Sequence, residues 1–287
     1  VIYARVSNNL GVCYELTQVT LRAQPIPEVT LDETYTICVD TSGNVINTAD
    51  SPPVIMTGLS DADFDFEWSY EGTILPGETS SNLIANLPGN YDVVVTETLT
   101  GLGCMGTAST TVIPSSTPIL DAVVTTDAFA DDHMIEATAT GTGVYEFSLD
   151  GGPWQLGTDN GNGSYTYVFN GVNPPGEHTV VARDVNGCGT DQDTVFVFDY
   201  PQFFTPNGDG YNDTWNIIDF SIQPSAKIFI YDRYGKLLKQ LSPTGSGWNG
   251  IFNGKPLPSS DYWFTVTYVE PRNGVSKQFR SHFTLKR

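Results

Sequence analysis

The residues best placed to do chemistry in this sequence are carboxylates, and the chemistry they suggest is cation binding. Asn207-Gly208-Asp209-Gly210-Tyr211-Asn212-Asp213 sets oxygen-bearing side chains at Asn207, Asp209 and Asp213, with glycines that allow a tight wrap. That is the first half of a Ca2+ loop. A full loop of that kind needs a bidentate Glu at the twelfth position, where this chain has Ile218. A turn locked by its own Asx side chains explains the same residues, so they fit either reading. Asp61, Asp63, Asp65 and Glu67 recur every second residue, which on a strand places all four on one face, either neutralised by calcium or facing water. Catalysis has weaker support. None of His133, His178 and His282 has metal-protease spacing or a neighbouring nucleophile with an orienting acid, and there is no Gly-x-Ser-x-Gly elbow, phosphate loop or Cys-x-x-Cys. Two carboxylates near each other mean little among 33 acids. No catalytic residue is assigned, and the chain reads as a non-enzyme.

The elements that must position these groups are strands. Phe64, Phe66, Trp68 and Tyr70 alternate with Asp65, Glu67 and Ser69, which predicts one apolar and one wet face. Tyr145, Phe147 and Leu149 do the same and stop at Asp150-Gly151-Gly152, a turn. No stretch shows a 3.6-residue period. Three β-rich runs, Tyr3–Val6, Tyr91–Val95 and His178–Ala182, each lead to a cysteine (Cys13, Cys104, Cys188), and Pro88-Gly89 and Pro175-Gly176 introduce two of them. Their spacing of nearly 90 residues matches a small β-sandwich. The expected fold class is therefore all-β, a string of tandem antiparallel Ig-like sandwiches. Residues 1–25 read as the last strands of a module truncated at its start, residues 26–115 and 116–199 as two Ig-like modules, and 200–287 as a terminal domain.

Cys38 and Cys104 fall near the start and end of one module with Trp68 between them. They are expected to form a disulfide, consistent with an oxidising, extracytoplasmic setting. Cys13 reads as having lost its partner to truncation. Cys188 is either free and buried or bonded elsewhere. The net charge of −20 divides unevenly: residues 1–198 carry 26 acids and three bases, residues 199–287 seven acids and ten bases. The acidic part repels phosphate backbones and anionic lipid, which argues against nucleic acid and direct membrane insertion. The change of sign marks a change of module.

The terminal segment also carries a family likeness. Phe203-Phe204-Thr205-Pro206-Asn207-Gly208-Asp209-Gly210-Tyr211-Asn212-Asp213-Thr214-Trp215 resembles the opening of the type B sorting domain of the type IX secretion system, also described as the gliding-motility-associated C-terminal domain. Tyr231-Asp232-Arg233-Tyr234-Gly235, Gly247-Trp248-Asn249-Gly250 and Asp261-Tyr262-Trp263-Phe264 follow in order. Residues 26–115 resemble an Ig-like repeat, and residues 116–199 resemble the short repeat of gliding adhesins. The resemblance implies a signal domain that folds in the periplasm, is recognised by the type IX translocon with a dedicated outer-membrane barrel partner, and delivers the chain to the cell surface or beyond. Arg233, Lys236, Lys239 and Arg280 are the candidate contacts for that partner. Two other functions remain open: carbohydrate-binding modules, suggested by Trp154, Tyr165 and Tyr167, and the non-catalytic tail of a secreted hydrolase.

Overall fold

The computed structural model describes residues 2–7, 14–20, 23–48 and 50–287. The chain forms two compact units, Val1–Pro114 and Ser115–Arg287. Both are built of antiparallel sheets, with one short parallel pair in the second.

In the first unit, β1 (Ile2–Ser7) and β2 (Tyr14–Val19) make a hairpin. The main body comprises β3 (Thr34–Val39), β4 (Val54–Met56), β5 (Phe64–Tyr70), β6 (Thr73–Ile74), β7 (Asn82–Ile84), β8 (Gly89–Glu97) and β9 (Met105–Ser116). One sheet has the order β3-β9-β8-β5-β6, and β4 pairs with β7 in a second. The alternation in β5 behaves as the sequence requires. Phe66 and Trp68 are buried with Ile37, Ile55, Val93 and Val95, while Asp65 and Glu67 stay exposed. Trp68 also donates its indole N–H to the Ser80 carbonyl at 2.8 Å, so its polar edge is satisfied in the core. The acidic row is shorter than expected, because only Asp65 and Glu67 lie on the strand. Asp61 and Asp63 belong to the preceding turn, where the Asp61 carboxylate accepts the Ser81 N–H at 2.5 Å and ties that turn to the segment before β7.

The expected Cys38–Cys104 bridge is not formed, because Cys104 is a free thiol while Cys38 is disulfide-bonded. Strand alternation supplies the reason. Ile37 and Val39 point into the core, so Cys38 between them points to the other face of the same sheet. Cys104 sits in the connection from β8 to β9, close to Gly106, which packs against Pro27 ahead of β3, whereas Cys38 lies near the far end of β3. Cys13 lies outside the described residues.

The second unit begins with a sandwich of β10 (Ile119–Val124), β11 (Met134–Thr140), β12 (Tyr145–Leu149), β13 (Gln155–Leu156), β14 (Thr158–Gly161), β15 (Ser164–Asn170), β16 (Gly176–Asp184) and β17 (Thr190–Val197). Its sheets, β10-β11-β15-β14 and β13-β12-β16-β17, enclose Ile135, Ala137, Tyr145, Phe147, Val180 and Val197. At the edge of β10, the Leu120 and Ala122 N–H groups donate to the carboxylates of Asp191 and Asp193 at 2.9 and 3.0 Å. These acids occupy backbone donors that would otherwise invite another strand. Cys188 is buried and disulfide-bonded.

The unit continues with β18 (Phe203–Phe204), a 3-10 turn (Phe220–Ile222), β19 (Lys227–Tyr231), β20 (Leu237–Leu241), β21 (Ile251–Phe252), β22 (Lys255–Pro256), β23 (Ser260–Val269) and β24 (Ser276–Leu285). The sheet order is β18-β24-β23-β19-β20, with β18 parallel to β24 and β21 paired with β22. Its core is aromatic: Trp215 stacks on Phe283 at 3.9 Å, and Phe204, Trp248, Tyr262 and Phe264 surround them.

One device recurs at the start of the long central strand of each body. Tyr91 donates its hydroxyl to the Leu87 carbonyl at 2.9 Å, and Tyr262 does the same to the Pro258 carbonyl at 2.9 Å. His178 fills the equivalent place, with Nε2 2.9 Å from the Pro174 carbonyl and Nδ1 2.7 Å from Asp150. Each contact spans four residues and pins the incoming loop to its strand, in the manner of a tyrosine corner. Gly89 and Gly176 sit beside two of these corners at φ +144° and +137°. A Cβ on Gly89 would meet Tyr70 and Glu71, and one on Gly176 would meet Asp219. The Pro-Gly pairs seen in the sequence therefore answer to close approach as well as to turning.

Candidate functional site

The loop after β18 is held by its own polar groups. Asp213 accepts the Gly208 N–H at 2.6 Å and the Gly210 N–H at 2.8 Å. Asn207 Oδ1 accepts the Asp209 N–H at 3.0 Å, and Asp209 Oδ1 accepts the Tyr211 N–H at 2.8 Å. The Gly208 N–H above all, then that of Gly210, holds the Asp213 carboxyl below the usual carboxylate range. Asn207 also donates its amide to Asp209 at 2.8 Å, so the three side chains named as cation ligands bond to the loop itself. Among the described residues, no group of three or more His, Cys, Asp or Glu is placed to hold a metal ion. The effect of the lock is to present Tyr211, 78 % exposed, at the tip of the loop.

The turn from β19 to β20 is built the same way. Asp232 Oδ1 accepts the N–H groups of Tyr234 and Lys236, both at 2.9 Å, while Gly235 turns the chain at φ +82°. Tyr234 projects from it, 87 % exposed. Other motif residues are structural. Trp215 and Trp248 exchange backbone hydrogen bonds at 2.9 Å, and Trp248 donates its indole N–H to the Ile251 carbonyl at 3.0 Å. Gly250, at φ +73°, is buried where a Cβ would collide with Leu285. Pro206 and Asn212 complete the first loop, whose closure places the Asn212 carbonyl on the Thr205 N–H at 2.7 Å.

The four candidate contact bases do not form one patch. Arg233 donates to Ser260 Oγ at 2.8 Å, and Lys236 lies over the Phe252 ring at 4.8 Å. Lys239 pairs in register with Ile230 and so belongs to the row that continues into buried Phe264. Arg280 pairs with Thr265, which pairs with Phe229, in a row on the opposite face. Two bases not singled out in the sequence are used inside the unit. Arg272 donates to the Thr125 carbonyl at 2.8 Å and to Asp127 at 2.5 Å, and Lys277 reaches Asp127 at 3.1 Å and buried Glu270 at 3.2 Å. The hydrogen bond from Lys277 holds Asp127 below the usual carboxylate range and raises Lys277 itself. Burial first, then the Glu270 charge, pushes the adjacent Tyr268 up to about 12.

These contacts frame an aromatic plug. Phe129, from the segment between β10 and β11, stacks on Phe279 at 4.6 Å and meets Tyr268 edge-on at 5.3 Å. It is only 7 % exposed and belongs to the same cluster as Trp215 and Phe283. Phe198 joins it through a T-shaped contact with Phe220 at 5.0 Å. The last domain thus borrows part of its core from the sandwich before it.

Residues 198–285 match the CHU_C type IX secretion signal domain. This C-terminal stretch is a type IX secretion signal domain. The signal domain contains the Asx-locked loop, the tryptophan pair and the aromatic sheet just described. A search of the curated proteins finds no match. Among solved structures, the chain is similar to the N-terminal eight Ig domains of Down Syndrome Cell Adhesion Molecule, at 12 % identity and a TM-score of 0.31. That alignment covers 98 % of this chain and 39 % of the other. It is also similar to the fibronectin(III)-like modules of Clostridium thermocellum CbhA, at 18 % identity and a TM-score of 0.32, covering 59 % of this chain and 94 % of the other. A third similarity is to three N-terminal domains of the bacteriophage RB49 Highly Immunogenic Outer Capsid protein, at 11 % identity and a TM-score of 0.31, covering 90 % and 98 %.

Proposed function

We propose that this chain is part of a secreted or cell-surface protein whose last domain is read by the type IX translocon during export, together with an outer-membrane barrel partner. The signal domain at residues 198–285 is the observation that carries this reading. The acidic modules act as a non-catalytic spacer that holds a distal part away from the membrane, in an adhesin-like and gliding-associated role. Their charge keeps such a spacer soluble and out of anionic lipid. Among the described residues, no helix is long and apolar enough to cross a membrane.

The aromatics that prompted a carbohydrate-binding alternative do not form a flat exposed row. Tyr165 packs edge-on against Tyr145 at 5.7 Å, Tyr167 stacks on Phe147 at 6.5 Å, and Arg183 lies over the Trp154 ring at 4.1 Å. The test of export is direct. In a cell with type IX secretion, a reporter fused to residues 115–287 is expected at the surface or in the medium, and the same reporter fused to residues 115–199 in the periplasm. Equal export of the two would remove the signal domain from the account.

A further inference from the structure

The pairing register of the signal-domain sheet lays out its solvent face row by row. Leu237, Tyr231, Trp263 and His282 align across β20, β19, β23 and β24, and Gln240, Phe229, Thr265 and Arg280 form the next row. Lys227, Thr267 and Gln278 follow on one side, and Asp261, Thr284 and Phe203 on the other. The alternating residues Ile228, Ile230, Phe264 and Val266 are buried, so these rows face away from the core. Trp263 and the His282 ring lie 6.2 Å apart, and the Lys286 ammonium sits 4.2 Å over Phe203. Lys227, Arg280 and Lys286 stand against a single acid, Asp261, which already accepts the Thr284 hydroxyl at 2.7 Å.

We infer that this sheet face is the surface by which the signal domain docks an acidic protein partner in the export machinery. The argument rests on the export reading above and adds the surface and the chemistry of its partner. Trp, Tyr and Arg dominate binding energy at protein interfaces because they combine large rigid area with a polar handle, and Trp263, Tyr231 and Arg280 occur together here. The sign of the charge selects the partner. A net positive face on a chain of charge −20 is attracted to an acidic surface, while the rest of the same chain repels it, so approach is oriented with this face first. Lys239 and Lys236 lie off the face and serve as internal controls.

The full chain is expressed in a type IX-secreting cell, and exported and periplasmic fractions are measured for each variant. Arg280→Glu combined with Lys227→Glu, and separately Trp263→Ala, should cut export by at least about tenfold. Lys239→Glu should export normally, and all variants should keep the wild-type thermal midpoint within a few degrees. Suppressors of the double charge reversal should map to acid-to-base changes in a machinery protein. Normal export of both the double reversal and Trp263→Ala would overturn the inference while leaving the export reading intact. Retention of the wild-type chain in the periplasm would instead defeat the export reading itself. Charge-dependent self-association of the purified chain, or its binding to phosphatidylglycerol vesicles lost on the double reversal, would replace the protein partner with a second copy or a lipid surface and so overturn it.

Discussion

Asp213 shows how much of the signal loop rests on one side chain. Its carboxylate takes two backbone N–H groups, and those bonds hold its pKa down. A depressed carboxyl contributes stability that is fully present above the ordinary value of 3.8 and is lost as pH falls through the lower folded value. The protection of the Gly208 and Gly210 amides relative to their intrinsic exchange should therefore be lost only in strong acid, and Asp213→Ala should remove that protection at neutral pH. Because the loop's own donors already use these oxygens, a chelator should leave the thermal midpoint unchanged, as a scan with and without it will show. Cys104 makes the complementary point. Since it is a free thiol, Cys104→Ser should change stability by less than about 1 kcal/mol in a denaturant titration, the size of an ordinary substitution outside a bridge. A bridged pair closing a loop of this length would cost several times more.

At the scale of the element, the corner hydrogen bonds bear on how each long strand begins. Tyr91→Phe removes a buried hydroxyl that donates to the Leu87 carbonyl and accepts the Leu87 N–H at 3.3 Å, and Tyr262→Phe removes the hydroxyl bond to the Pro258 carbonyl. Each should lower stability by about 1 kcal/mol in chemical denaturation. Burial raises both tyrosines, so neither corner depends on pH near neutrality. The sequence showed the strands in front of these corners through alternation and Pro-Gly turns. It did not show the corners, because a tyrosine that begins a strand looks the same whether its hydroxyl meets water or a carbonyl four residues back. His178 was harder to see, since its place beside Asp150 depends on the pairing of β12 with β16.

For the molecule as a whole, the second unit matters most. Phe129 lies in an irregular segment, yet it fills the core of the signal domain. Phe129→Ala should cost about 3–5 kcal/mol, the range for truncating a buried aromatic, and should lower the unfolding midpoint of the last domain although the change lies about 70 residues before it. Near-ultraviolet circular dichroism of the Trp215 and Trp248 signals will read this directly. Residues 115–287 should melt in one transition, because removing either half exposes the Phe129 site.

The sequence by itself determined which residues alternate into strands, where Gly and Pro turn them, and which motifs announce the signal domain. These are local patterns, written in a period of two and in turns of three or four residues. Only the tertiary structure decided that Cys38 turns away from the core, that Lys239 and Arg280 fall on opposite faces, and that Phe129 belongs to the next domain. Each of those outcomes depends on which strand pairs with which and in what register, and a one-residue slip would reverse every face. That choice is made by packing between segments far apart in the chain, which no local pattern records.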